Sequence, residues 1–204
     1  LDTIYKYEEK FYIDDDSIGH VFTVSSNSLL SSNTLSAVDV RNDTISVLGF
    51  DEWLEETISM NVSGYRRIFH TMPNETSQSS LCKENVKKIG AAGKPFDICY
   101  LPTQLGIAAE FAKACDQMDL VLNHCGVPPI ASGEMDEWEK GIRNLSEIPN
   151  VTCKLSGIMA YCAPGTSSYE TIKPYVDHVL ECFGPDRMVW GSDWPVVNAG
   201  KGIQ

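Results

Sequence analysis

Several side chains in this sequence have types and settings suited to chemistry. Asp193 lies in Arg187-Met-Val-Trp-Gly-Ser-Asp-Trp-Pro195, just after a short apolar run. A carboxylate beside an indole and a proline is costly to desolvate unless something pairs with it. A loop aspartate bonding its own backbone would also explain the segment. His124 closes Leu120-Val-Leu-Asn-His124. An imidazole and a carboxylate brought together can hold a divalent metal or move protons. Lys154 stands in Val151-Thr-Cys-Lys-Leu155, where so apolar a run requires a partner or a solvated exit for the ammonium. Arg66 and Arg67 alternate in direction along a strand, so one points inward. An inward guanidinium suits a substrate carboxylate, and a surface ion pair accounts for the other arginine. Tyr100 could donate to a substrate oxygen or simply pack. Trp194, next to Asp193, counts as a substrate contact. His70 follows the arginine strand and fits either role. His20 sits at the wrong end of its strand, and His178 is expected on a helix surface beside Asp177.

The elements that must position these groups follow a rhythm. Residues 1–18 read as a solvated helical arm. Strand-like runs follow at His20–Val24, Thr44–Phe50, Val62–Phe69, Pro95–Tyr100, Asp119–His124, Val151–Leu155 and Met188–Trp190. Between them lie helix-like runs: a weak one at Leu29–Val40, one opening at Asp51, then Leu81–Ala91, Thr103–Met118, Glu134–Glu147 and Tyr169–Phe183. Seven strands alternating with helices indicate βα units on a parallel sheet. No glycine fingerprint follows an early strand, which argues against a doubly wound dinucleotide fold. Gly90-Ala-Ala-Gly-Lys-Pro95 ends a helix and precedes a strand, the wrong context for a phosphate loop. In a (β/α)8 barrel the functional residues stand at strand carboxyl ends, and those ends carry Arg66, Arg67, Tyr100, His124, Lys154 and Asp193.

Composition narrows the function classes. The chain has 204 residues, 43% of them hydrophobic, enough for one domain with a real core. A net charge of −12 with no basic cluster argues against nucleic acid and anionic membranes. The seven cysteines are odd in number and contain no C-x-x-C pair, so reduced thiols in a cytoplasmic protein are the expectation. The charged N-terminus shows no signal-peptide h-region. It opens on Leu rather than Met, which points to processing or to a chain given without its true start. The five N-x-S/T sequons are read as chance.

Several segments together resemble the amidohydrolase-related (amidohydrolase 2) family of metal-dependent barrel hydrolases, which includes sugar-acid lactonases such as L-fuconolactonase and L-rhamnonolactonase. They are Gly64-Tyr-Arg66, Phe96-Asp-Ile98, Val121-Leu-Asn-His-Cys-Gly-Val-Pro128, Asn150-Val-Thr-Cys-Lys-Leu-Ser-Gly157 and Phe183–Val196. The resemblance spans residues 20–197. It implies one barrel domain over 1–204, with the βα units in 19–197. Asp193 would be the final-strand aspartate that activates water or binds metal. His124 would be the later-strand site histidine, and Arg66 the arginine facing substrate. Lys154 falls in a Lys-x-Ser-Gly pattern.

There are departures from the family pattern. Asn123 stands where the family has Asp. The first-strand His-x-His pair is absent, so the chain is expected to hold about seven strands of the eight in a barrel, without the first strand and last helix. His124 and Asp193 form only part of a Zn²⁺ site, short of three protein ligands. The implied function is hydrolysis of a small lactone or cyclic ester by Asp-activated water, with or without metal. The alternatives are a non-oxidative decarboxylase of the same superfamily and a degenerate barrel that only binds. The implied partner is a small molecule, anionic or sugar-derived. A missing strand exposes sheet edges, from which poor solubility or a homodimer is expected.

Overall fold

The structure is a computed structural model. It describes residues 5–10, 21–26, 34–39, 50–193 and 196–199. Eight strands form one sheet in sequence order. They are β1 (Tyr5–Lys10), β2 (Val21–Ser26), β3 (Thr34–Asp39), β4 (Gly64–Ile68), β5 (Phe96–Cys99), β6 (Leu120–Leu122), β7 (Val151–Leu155) and β8 (Met188–Trp190). From β3 onward every pairing is parallel. Helices connect these strands: α1 (Phe50–Ser59), the short α2 (Asn74–Gln78), α3 (Ser80–Ala91), α4 (Leu105–Ala114), α5 (Asp136–Ser146) and α6 (Tyr169–Phe183). This is α/β architecture of the (β/α)8-barrel kind, with consecutive parallel strands joined by helices.

The N-terminal segment departs from the sequence reading. Residues 5–10 are a strand, not a helical arm, and pair antiparallel with β2. Tyr5-Lys-Tyr7 alternates aromatic with charged residues, a period of two that suits a strand. The weak helix expected over Leu29–Val40 is β3 instead. Thr34-Leu-Ser-Ala37 alternates polar with apolar residues, and β2 pairs with this strand antiparallel. The strand expected over Thr44–Phe50 lies outside the described residues, except that Phe50 opens α1.

Strand alternation sorts the side chains of the parallel strands into two layers. Tyr65, Phe96, Ile98, Tyr100, Leu120, Leu122, Val151 and Cys153 are buried in the core under the helices. Phe69 stacks on Tyr100 at 5.1 Å between ring centroids and also meets Phe96 and Phe111. These apolar contacts hold α4 against the sheet through Phe111. The intervening residues, Arg66, Asp97, Cys99, Asn123 and Lys154, lie on the opposite, inner face.

Candidate active site

On the inner face Arg66 and Asp97 are direct partners in the β4–β5 register. Asp97 Oδ2 accepts from Lys154 Nζ at 2.5 Å, from Arg66 Nη2 at 3.3 Å and from Asn123 Nδ2 at 3.1 Å. All three charged side chains are largely enclosed, at 12%, 14% and 21% exposure for Arg66, Asp97 and Lys154. Burial alone would raise the Asp97 pKa. The Lys154 and Arg66 charges, with hydrogen bonds from Lys154 and Asn123, outweigh burial and hold the carboxyl below its ordinary value. Asn123 also donates to Cys99 Sγ at 3.2 Å. Burial pushes that thiol up to about 11, so Cys99 stays protonated.

His124 is positioned differently. The strand stops at Leu122, and His124 lies in a tight turn over Asn123–Gly126. Four consecutive residues there have left-handed φ angles: His124 at 54°, Cys125 at 52°, Gly126 at 65° and Val127 at 55°. Each L-residue so placed costs roughly 1–2 kcal/mol, and such strain persists where surrounding contacts over-determine it, often at functional sites. Those contacts are visible here. Trp138, fully buried on α5, donates its indole N–H to the Cys125 carbonyl at 2.8 Å. Leu105 of α4 packs so closely on Gly126 that an added Cβ would stand 2.9 Å from Leu105 Cδ2.

The turn aims His124 across the strand ends. Its Nδ1 shares a hydrogen bond with Ser156 Oγ at 2.9 Å and lies 3.6 Å from Asp193 Oδ2. Burial, aided by the Arg66 and Lys154 charges, pushes the imidazole pKa down to about 3. The ring is therefore neutral at pH 7, and its contact with Asp193 is between a charge and a dipole. The same electrostatics join the Asp97 cluster and the His124–Asp193 pair in one site. Asp193 itself has a left-handed φ of 58°. It fits because residue 157 is glycine, whose φ is +63° and whose missing Cβ would lie 2.5 Å from Asp193 Oδ2. Tyr161 belongs to this corner too, since burial and the Asp193 charge both push its phenol up.

The residues singled out from sequence are not all gathered here. Arg66, His124, Lys154 and Asp193 are. Arg67 is buried on the helix side rather than in a surface ion pair, because alternation turns it under α3, where its charge acts on the Cys82 thiol. Tyr100 faces the same way, 1% exposed and stacked on Phe69, so the structure does not bring it to the site. Trp194 lies outside the described residues, as does His20. His178 is 8% exposed and packs against Trp138, since its helix face turns toward α5 and not toward water. His70, lowered by burial, has an Nδ1 with no hydrogen-bond partner. Sequence analysis gives no site role to Asp97, Ser156 or Tyr161, and Asn123 enters it only as a departure from the family pattern. Asp97 has a signal, a carboxylate inside the apolar run Phe96-Asp-Ile-Cys99. Ser156 has a weaker one, its place in the Lys-x-Ser-Gly pattern, and Tyr161 has none.

A catalytic zinc usually takes three protein ligands. Among the described residues no three His, Cys, Asp or Glu side chains come together as a metal-binding group. His124 and Asp193 supply two. Asp97 already carries two cations, beside which a divalent ion would be repelled. The described residues therefore do not by themselves fit a catalytic zinc.

Residues 43–204 match the amidohydrolase family (Amidohydro_2), and the chain belongs to that family. Over 101 residues it is 39% identical to the L-fucono-1,5-lactonase of Burkholderia ambifaria, spanning 50% of this chain and 34% of that protein. The L-fucono-1,5-lactonase of Burkholderia multivorans is 34% identical over 110 residues, 50% of this chain and 37% of the relative. A Burkholderia multivorans amidohydrolase solved with bound Zn superposes with a TM-score of 0.73 at 26% identity, covering 80% of this chain and 60% of the other. These matches thus span less than two thirds of each relative's length. No described helix is long and apolar enough to cross a membrane.

Proposed function

We propose that this chain carries the hydrolytic site of a lactonase. The observation that supports it most is the 3.6 Å approach of Asp193 to a neutral His124 at the strand ends, beside the Arg66 and Lys154 cations. Likeness to two lactonases supports a lactone as substrate.

In this reading Asp193 takes a proton from water as the water oxygen attacks the lactone carbonyl carbon. His124, held by Ser156, orients the carboxylate and the water. Lys154 and Arg66 place positive charge where the carbonyl oxygen becomes an oxyanion, a pre-organised stabilisation that a poorly solvated site strengthens. The tetrahedral species collapses, the ring C–O bond breaks, and the departing ring oxygen takes back the proton held by Asp193. The product is an open hydroxy acid. Each step uses side chains of this chain. A divalent ion such as the one in the Burkholderia multivorans relative would have to draw ligands beyond His124 and Asp193. All seven cysteines are free, which supports a reducing, cytoplasmic setting.

Proton release with L-fucono-1,5-lactone in a pH-stat tests the reading. Turnover above the spontaneous rate supports it. A rate equal to the spontaneous one, with the lactone still bound, would favour a ligand-binding barrel.

A further inference from the structure

The inner face holds a carboxylate to which the hydrolytic steps assign no role. It is Asp97, one of whose oxygens gathers Lys154, Arg66 and Asn123. A surface aspartate could do this at little consequence. Here the three charged groups are between 12% and 21% exposed, so their charges act at close range with weak screening.

The charge count then limits what can bind. Among the described residues of this cluster, Arg66 and Lys154 contribute two positive charges and Asp97 one negative. When Asp193 has taken the water proton, these three groups keep one net positive charge. That matches the single negative charge of a lactone oxyanion. A carboxylate on the ring would add a second negative charge beyond what this cluster offsets, and it would compete with Asp97 for the same two cations. Sequence alone pointed the other way, toward Arg66 clamping an anionic group.

We propose that Asp97 is a specificity-determining residue, an internal counter-anion that occupies Arg66 and Lys154 and restricts the site to uncharged, hydroxyl-rich lactones. This rests on the lactonase reading. It further assigns Arg66 and Lys154 to the reacting carbonyl rather than to a substrate carboxylate. Hydroxyl groups remain acceptable because they can donate to Asp97 and accept from Lys154 without changing the charge.

The test compares kcat/KM for an uncharged sugar δ-lactone and for a δ-lactone bearing a ring carboxylate. Wild type should favour the uncharged ring by about tenfold or more, the scale of one uncompensated charge in a poorly solvated site. Asp97→Asn removes the internal counter-charge and should shift the ratio toward the carboxylated ring by at least about tenfold, mainly through KM. Asp97→Glu should keep the wild-type preference. Equal loss on both substrates in a folded Asp97→Asn variant would mean a merely structural role and overturn the proposal. So would a wild-type preference for the carboxylated ring, which leaves the lactonase reading standing. If Asp97→Asn does not fold, the wild-type ratio decides. Turnover of neither lactone by wild type defeats the lactonase reading and this proposal with it.

Discussion

Gly157 and Asp193 are fitted to each other. A methyl group on Gly157 would stand 2.5 Å from Asp193 Oδ2, and both residues have left-handed φ angles. The absent side chain at the end of β7 is what lets the carboxylate turn toward His124. Gly157→Ala would meet both the clash and the backbone strain, which alone costs roughly 1–2 kcal/mol. The expected result is a lowered melting temperature and a loss of about tenfold or more in kcat, since small misplacements of reacting groups are costly. Unchanged kcat in the variant would show that Asp193 need not occupy this position.

The neutral imidazole sets the pH dependence of activity. With its pKa pushed down to about 3, His124 does not change charge near 6.5, the ordinary imidazole value. A kcat/KM profile should therefore show no inflection near pH 6.5 that His124→Asn removes. An inflection there that vanishes in the variant would mean that His124 titrates normally and is solvated.

Stability should fall on acidification, in two stages. The His124 pKa is lower in the folded chain than in the unfolded one, so the unfolded state binds the extra proton between about pH 6.5 and 3. This stabilisation is full above 6.5 and is lost as pH falls, by at most about 1.4 kcal/mol per pH unit. Asp97, also depressed, adds stability that is present above its ordinary 3.8 and is lost as pH falls through its folded pKa. Chemical denaturation across pH 3–8 should show the upper stage and, below 3.8, only the onset of the lower one. His124→Asn should flatten only the upper one.

The β8 edge should drive self-association. β8 pairs with β7 and, among the described residues, with no second strand. Val189 and Trp190 are 44% and 59% exposed along it. An apolar strand edge is a template for pairing with another chain. Light scattering on the 204-residue chain should show dimers or larger species, shifted toward monomer by Trp190→Lys. A monodisperse wild-type monomer would contradict this.

The parallel half of the fold was legible because β5 to β8 are short, mostly apolar runs between helices of clear amphipathic period, and β4 keeps a strand's alternation around Arg66 and Arg67. Met188–Trp190 and Val151–Leu155 stand where sequence placed them. Of the N-terminal strands β2 was legible, as the run His20–Val24. β1 and β3 were not, because their alternation runs over few residues and antiparallel pairing at β1–β3 breaks the βα rhythm. Arg66, His124, Lys154 and Asp193 were legible as titratable groups at strand ends. The connections among them were not. That Asp97 would gather Lys154 and Arg66 depends on register across β4, β5 and β7. That Ser156 and Gly157 would shape the His124–Asp193 pair depends on a turn whose left-handed backbone a single sequence does not announce at His124 and Cys125. Tyr100 and Arg67 were misassigned because strand boundaries alone do not say which face a residue takes.

Purified wild type and Asp193→Asn should be compared for hydrolysis of L-fucono-1,5-lactone, with melting curves to confirm that both are folded. Loss of kcat on the order of a hundredfold to ten-thousandfold, the contribution of a positioned general base, with a similar melting temperature and retained lactone binding, is the predicted result. Turnover by Asp193→Asn within about twofold of wild type, well short of a general base's contribution, would contradict the assignment of Asp193 as the base.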